Sequence, residues 1–175
     1  MLTINHKTFV PFITADAIQQ RIGELANQIN QEYAGKQPLF VVVLNGAFLF
    51  AADLMKRLTI PCEITFVRVA SYAATESTGQ IKQILGLHES IAGRDLIVVE
   101  DIVDTGLTIS EICSQLRAEG PASLAIATLL FKPAALKKDL QLDYVGFEIE
   151  NRFVLGYGLD YDGLGRNTPD ILVLA

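Results

Sequence analysis

Short, nearly continuous apolar runs alternate along the chain with segments of helical periodicity. Three of these runs, Leu39–Leu44, residues 96–99 and Ser123–Phe131, are rich in β-branched and other apolar residues. Strands buried on both faces have this composition. Each run is followed within a few residues by a turn and a polar or helical stretch. The pattern predicts an α/β fold with a mainly parallel central sheet and helices on both faces.

Weaker patterns supply the remaining elements. Residues 62–70 alternate well enough for a strand, residues 81–85 are a candidate partner, and residues 143–149 read as a further strand. Thr14 is placed to cap a helix that ends near Gly35, and residues 47–58 form an apolar helical segment. A further helix runs up to Gly120, and Thr108 with Glu111 fits a capping box at its start.

Composition narrows the class of protein. The 175 residues are 50% hydrophobic and 19% charged, which suits one domain with a substantial core. The net charge of −6 argues against a nucleic-acid partner, which calls for a basic surface. No apolar run approaches the length of a membrane helix, and the N-terminus lacks the apolar core of a signal peptide. With only two cysteines, a cytoplasmic location and no membrane partner are expected.

The strand at residues 96–99 leads into a chemically specific loop. Glu100 and Asp101 follow it directly, and Asp104 comes three residues later. Clustered carboxylates repel one another unless a cation or ligand hydroxyls lie between them. The segment Thr105-Gly106-Leu107-Thr108 then offers two hydroxyls, a glycine and the first amides of a helix, which together describe a phosphate cup. Because Mg²⁺ needs few protein carboxylates and binds largely through substrate phosphates, this stretch predicts a magnesium-dependent phosphate site.

The ten residues from Val99 to Thr108 resemble the phosphoribosyl-pyrophosphate (PRPP) signature of the type I phosphoribosyltransferases, in the version of the hypoxanthine-guanine enzymes. The resemblance implies a single phosphoribosyltransferase domain over residues 1–175. Its core would span about residues 36–140, and a small hood would come from the N-terminal segment and about residues 141–175. It also implies transfer of the phosphoribosyl group from PRPP to a 6-oxopurine, Mg²⁺ as cofactor, and a homodimer or homotetramer.

Matching residues give the expected roles. Asp104 would accept a proton from the purine, Lys132 would donate to its exocyclic oxygen, and Phe153 would stack on the base while backbone near Val154 reads its edge. The metal would lie against Glu100, Asp101 and Asp160, and Asp160 would also belong to the purine-binding site. PRPP and its phosphates would contact ten residues: Asn45, Gly46, Glu100, Asp101, Asp104, Thr105, Gly106, Leu107, Thr108 and Arg166.

The polar segment between the two middle strand candidates has no apolar periodicity and is longer than a hairpin requires. It carries Ser71-Tyr72 and Ser77-Thr78-Gly79, which match the mobile loop of the purine enzymes, so we expect a lid that excludes water. Two positions depart from the family pattern. Asn45 stands where a basic residue usually precedes the pyrophosphate loop glycine, and Leu107 stands where a basic or polar residue is common.

Three alternatives stay open at this level. Xanthine preference depends on a few atoms at the second position of the base. A pyrimidine enzyme would not be expected to carry Lys132 or the segment from residue 147 to 160. A regulator that senses PRPP without turning it over often lacks the acid matching Asp104 and carries a basic face, whereas Asp104 is present here and the net charge is negative.

Overall fold

The computed structural model describes residues 1–69 and 84–175. In chain order, its helices and strands are β1 (Leu2–Ile4), β2 (Lys7–Ile13), α1 (Ala15–Glu32), β3 (Leu39–Leu44), α2 (Phe48–Met55), β4 (Glu63–Val69), β5 (Ile84–Leu85), β6 (Asp95–Val103), α3 (Leu107–Ala118), β7 (Ser123–Phe131), β8 (Tyr144–Glu148), β9 (Val154–Leu155) and β10 (Ile171–Leu174).

A six-stranded sheet forms the centre, in the order β5-β4-β3-β6-β7-β8. All neighbouring pairs are parallel except β4 and β5, which are antiparallel. Alternate residues of β3 and β6 face opposite layers. Val42 and Val99 pack into the cluster that contains α1 and α2, whereas Val41 and Val98 pack with α3. The sheet is therefore covered on both faces, and the predicted α/β class is confirmed.

The helix boundaries agree with the sequence pattern at α1 and differ from it at α3. Thr14 caps α1 and accepts a hydrogen bond from the Ala17 amide at 3.3 Å, as predicted. The predicted capping box at Thr108 and Glu111 is wrong, because α3 begins at Leu107. Its N-cap residue is Gly106, which has a φ of +76° and makes no side-chain hydrogen bond to the helix. With Gly106 as its N-cap, α3 begins two residues earlier than it would with Thr108 as the cap. Among the described residues, no helix is both long and apolar enough to cross a bilayer.

Strand β6 is longer than its apolar run. We expect Glu100 and Asp101 in a loop from the sequence, but β6 continues to Val103 because parallel pairing with β7 extends past Asp101 to Ile102 and Val103. Glu100 pairs with Thr128, and Ile102 with Leu130. The two acids are therefore held on a rigid strand instead of a loop.

A second sheet, which we call the hood, joins the two ends of the chain in the order β1-β2-β10-β9. Strand β10 pairs antiparallel with both β2 and β9. The expected start of the hood near residue 141 does not match this sheet, because Tyr144–Glu148 adds to the central sheet beside β7. The hood strands on the C-terminal side begin at Val154.

Candidate active site

The carboxyl ends of the neighbouring strands β3 and β6 line a cavity of about 330 Å³. Parallel strands place their ligand sites at this edge of the sheet. Gly46, which follows β3, packs so closely on Asp101 that a Cβ atom built on the glycine would lie 1.5 Å from Asp101 Oδ2. The peptide bond between Leu44 and Asn45 is cis. The cavity is lined by Val43, Leu44, Asn45, Gly46, Glu100, Asp101, Ile102, Thr108, Asp160 and Arg166.

Two adjacent carboxylates form the floor of this cavity. The buried Glu100 side chain accepts a hydrogen bond from the Asp101 amide at 3.1 Å, and Asp101 Oδ1 accepts one from the Ile102 amide at 2.8 Å. Burial, followed by the Asp101 carboxylate beside it, raises the pKa of Glu100 well above its ordinary value. Burial also raises the pKa of Asp101, although hydrogen bonds and the nearby Arg166 charge oppose that rise. The pair is suited to binding a cation or sugar hydroxyls.

A smaller cavity of about 90 Å³ lies at the start of α3. Gly106 turns the chain there, and a Cβ atom on it would lie 2.7 Å from Leu136 Cδ1, so the turn is closely packed from behind. The first amides of a helix have no acceptors within the helix and attract anions. The lining residues are Glu100, Ile102, Val103, Asp104, Thr105, Gly106, Thr108 and Ile109. Because Glu100, Ile102 and Thr108 line both cavities, the two adjoin.

Asp104 and Lys132 form an ion pair at the edge of the smaller cavity. Lys132 Nζ donates to Asp104 Oδ2 at 2.9 Å, and the lysine is buried whereas the aspartate side chain is 44% exposed. The two come together because the Lys132 amide donates to the Val103 carbonyl, which joins the ends of β6 and β7. An ammonium has three donors, so Lys132 can bind an oxygen of a ligand while it holds Asp104.

Asp160 and Arg166 close the larger cavity from the hood side. Arg166 Nη2 lies 2.5 Å from Asp160 Oδ1, and Arg166 Nη1 donates to the Gly158 carbonyl at 2.6 Å. The other Asp160 oxygen accepts from the Gly163 amide at 2.7 Å. A Cβ atom on Gly158 would lie 2.1 Å from the Gly46 carbonyl oxygen, so the hood turn packs directly against the loop after β3.

Phe153 and Val154 lie on the hood and line neither cavity. The Phe153 ring is 44% exposed and packs edge-on against Tyr161, with ring centroids 5.5 Å apart. Lys7 Nζ lies 4.5 Å from the centroid of the Tyr161 ring, on the same aromatic cluster. Val154 is buried and pairs with Val173, while the Phe153 carbonyl accepts from the Leu174 amide. Part of the Phe153 ring therefore remains accessible.

The donor set fits Mg²⁺ bound partly by substrate. No group of three His, Cys, Asp or Glu side chains in the part of the chain that the structure describes is arranged to hold a metal by itself. Mg²⁺ commonly uses one or two carboxylates and takes its other ligands from water and phosphate. Glu100 and Asp101 supply two carboxylates, whereas both oxygens of Asp160 already accept hydrogen bonds. The pair on β6 is therefore the better match for a metal.

Most of the sequence-predicted PRPP residues come together around the two cavities. Leu107 is the exception, since its side chain is 48% exposed and it lines neither cavity. Ser71 and Tyr72 lie outside the described residues. Sequence reasoning missed Arg68, whose Nη2 donates to Asn45 Oδ1 at 2.6 Å. The parallel register that pairs Leu44 with Arg68 could have indicated it.

Comparison with known proteins agrees with this geometry. Residues 13–162 match the model of the phosphoribosyl transferase domain, which covers most of the chain. The chain belongs to the phosphoribosyltransferase family.

Individual relatives lie among the hypoxanthine-guanine enzymes. The hypoxanthine-guanine phosphoribosyltransferase of Bacillus subtilis is 43% identical over 163 residues, which cover 93% of this chain and 91% of the relative. The bifunctional protein TilS/HprT of Listeria monocytogenes is also 43% identical, but the chain spans only 25% of its length. A variant of the hypoxanthine phosphoribosyltransferase of Trypanosoma cruzi, complexed with the product IMP, superposes with a TM-score of 0.89 at 35% identity. That match covers 100% of this chain and 95% of the other.

Proposed function

We propose that the protein acts in purine salvage, transferring the 5-phosphoribosyl group from PRPP to hypoxanthine and guanine to give IMP or GMP and pyrophosphate. The observation that carries the proposal is the pair of adjoining cavities on either side of Glu100. The start of α3 bounds the smaller cavity, and Arg166 lines the larger one. PRPP has a phosphate at one end of its sugar and a pyrophosphate at the other, and the two cavities suit these two groups. The B. subtilis relative is named for this activity, and its match to this chain covers 91% of its own length.

The chain's own groups divide the binding of PRPP between them. Thr105, Gly106 and Thr108, with the Leu107 amide, hold the 5′-phosphate at the helix start. Glu100 and Asp101 hold the ribose hydroxyls, which are good donors to carboxylates. Asn45, Gly46 and Arg166 face the pyrophosphate.

Asp104 and Lys132 act on the purine. As the bond between the anomeric carbon and pyrophosphate breaks, the sugar gains positive charge and the ring nitrogen of the purine bonds to that carbon. Asp104 accepts the proton that the purine imidazole ring loses. Lys132 donates to the 6-oxo group, and since an ammonium supplies only donors, an amino group at this position binds poorly. The ion pair between these residues supports this division, because it places acceptor and donor side by side.

The hood supplies the remaining contacts to the base. The exposed face of Phe153 stacks on the purine, and backbone near Val154 reads its edge. Asp160 orients Arg166 and adds an acceptor near the metal. Ser71 and Tyr72 belong to the segment that we expect to close over PRPP and keep water from the activated sugar.

Mg²⁺ fits the acidic pair on β6, with Glu100 and Asp101 as protein ligands and Asp160 as a more distant acceptor. When bound, the ion neutralises negative charge on the departing pyrophosphate. The raised pKa of Glu100 supports this assignment, because a buried pair of carboxylates gains most from a cation.

Pyrophosphate release tests the proposal. Hypoxanthine, guanine, xanthine, adenine and uracil would be supplied separately with PRPP and Mg²⁺, and release would be followed at steady state. We expect rapid release with hypoxanthine and guanine and little with adenine or uracil. Rapid release with xanthine alone would make this a xanthine enzyme, and release with uracil alone a pyrimidine enzyme. Binding of PRPP without release from any base would instead identify a sensor.

We also propose a homodimer or homotetramer in the cytoplasm. Ile64 and Phe66 lie on one face of β4 and are 38% and 45% exposed, which leaves apolar surface for a second copy. Cys62 and Cys113 are unpaired, as suits a reducing compartment. Light scattering on the wild type and on Phe66→Ser tests the interface. A wild-type monomer, or an unchanged mass after the substitution, would contradict it.

A further inference from the structure

The larger cavity is acidic for a site that receives pyrophosphate. Glu100, Asp101 and Asp160 line it, and among the described residues that line it Arg166 is the one cation. Arg166 already contacts the Asp160 carboxylate at 2.5 Å and the Gly158 carbonyl at 2.6 Å. The Asp160 carboxylate therefore partly neutralises the charge of Arg166. The loop after β3 adds no positive charge, because Asn45 stands where the family usually has a basic residue.

A second cation reaches this loop from the neighbouring strand. The parallel register of β3 and β4 pairs Leu44 with Arg68, so the arginine lies at the carboxyl end of β4 next to the loop. Arg68 Nη2 donates to Asn45 Oδ1 at 2.6 Å. Arg68 is exposed and forms no salt bridge with a carboxylate of residues 1–69 or 84–175. A guanidinium has five N–H donors, so the remaining ones are available to an anion.

The chemical nature of the group that contacts Arg68 determines whether its positive charge stays available to a ligand. An amide oxygen orients a guanidinium without neutralising it, whereas a carboxylate would cancel its charge and a lysine would repel it. Asn45 is thus a suitable neighbour for an arginine whose charge is to be used by a ligand. Asn45 lines the cavity whereas Arg68 does not, so the guanidinium neighbours the cavity through the Asn45 side chain that it contacts.

We propose that Arg68, oriented by Asn45, supplies the positive charge of the pyrophosphate subsite that the loop itself lacks. This inference deepens the proposed function and rests on it for the identity of the ligand. Asn45 and Arg68 act as one unit, in which Asn45 is the positioning residue and Arg68 the binding residue.

Calorimetric binding of inorganic pyrophosphate in the presence of Mg²⁺ tests the proposal without turnover. Arg68→Gln should weaken pyrophosphate about tenfold, equivalent to about 1.4 kcal/mol, and raise the KM for PRPP in step. IMP binds through its 5′-phosphate and base, so its affinity should stay within about twofold. Arg94→Gln removes an arginine that pairs with Glu63 at the opposite end of β4 and serves as the matched control with unchanged pyrophosphate affinity.

A charge-rescue variant separates electrostatics from structure. In Arg68→Gln with Asn45→Lys, the positive charge returns from the loop, and pyrophosphate affinity should recover most of its loss. Unchanged pyrophosphate affinity in Arg68→Gln, equal losses for pyrophosphate and IMP, or failure of the double variant to recover would each overturn the inference. Calorimetry measures binding directly, so it tests the role of Arg68 even if the protein transfers no phosphoribosyl group. The proposed function is tested separately, by the pyrophosphate-release assay.

Discussion

Gly46 and Asp101 are in such close contact that a Cβ atom on the glycine would lie 1.5 Å from the aspartate Oδ2. Real carbon–oxygen contacts are more than twice that distance. This contact holds the loop after β3 against the acidic end of β6. A shift of either Gly46 or Asp101 would therefore change the shape of the larger cavity, which both residues line.

Gly46→Ala should therefore damage the site more than the fold. The methyl group must displace either the Asp101 carboxylate or the loop, and we expect kcat/KM for PRPP to fall about 100-fold, equivalent to about 2.7 kcal/mol. Gly23→Ala is the control, because that glycine lies inside α1 with ordinary space around it and should gain up to about 1 kcal/mol of stability. Steady-state kinetics and thermal melting measure both. Normal kinetics in Gly46→Ala would contradict the proposed role of this contact.

Asp104→Asn should separate binding from turnover. The amide keeps the shape and can still contact Lys132, but it cannot accept the purine proton, so kcat should fall about 100- to 1,000-fold. The affinity for PRPP should change little. Asp139→Asn, at an exposed carboxylate in no described salt bridge, is the matched control. Near-normal kcat in Asp104→Asn would remove this residue from the role of base.

Removal of one buried acid should change both stability and metal dependence. Because burial raises the pKa of Glu100, the folded state holds its proton more tightly than the unfolded state. This contribution to stability is present at low pH and is lost as the pH rises from the ordinary value of 4.5 through the raised pKa. Metal-free Glu100→Gln should therefore melt higher than the wild type at neutral pH, and the difference should shrink in acid.

The same substitution should weaken pyrophosphate binding that depends on Mg²⁺. In the wild type, Mg²⁺ must displace a proton from the acidic pair, so its affinity should fall as the pH is lowered. Melting curves across pH and Mg²⁺ titrations in the presence of pyrophosphate measure the two effects. A lower melting temperature of metal-free Glu100→Gln at neutral pH would contradict the proposed cost of the buried charge.

Tyr157 anchors the hood to α2. Its hydroxyl donates to Asp53 Oδ2 at 2.5 Å, and Gln19 donates to the same oxygen at 2.6 Å. Burial by itself would raise the pKa of Asp53, but hydrogen bonds from Lys56, Tyr157 and Gln19 bring it below its ordinary value. A lowered carboxyl pKa contributes stability above the ordinary value of 3.8, and that contribution is lost as the pH falls through the lowered pKa.

Tyr157→Phe should cost about 1–2 kcal/mol at neutral pH, because it removes a hydrogen bond to a charged group. The loss should diminish in acid, where Asp53 is protonated. The measurement is urea unfolding of the wild type, Tyr157→Phe and Tyr161→Phe, at neutral pH and at an acidic pH where Asp53 is protonated. Tyr161 is the control for removal of a tyrosine hydroxyl on the hood. Equal costs for the two substitutions would indicate that the Asp53 contact adds nothing.

Several parts of the molecule were predictable from the sequence because they are local. Strands β3 and β7 were predicted at their observed bounds, since a parallel strand buried on both faces must be apolar along its length. The Thr14 cap is a contact between residues three apart. The stretch from Glu100 to Thr108 indicated an acid pair and a phosphate cup, because those groups are consecutive in the chain.

The tertiary structure decided what depends on distant partners. Strand β7 extends β6 through Glu100 and Asp101, and a glycine in a left-handed turn, instead of Thr108, starts α3. The register of β3 against β4 brings Arg68 to Asn45, although the two are 23 positions apart. The sequence alone thus determined the family, the fold class and the acidic stretch that lines the two cavities. Only the packed sheet decided which charges meet, because pairing across strands depends on register, and register is set by the whole set of buried contacts.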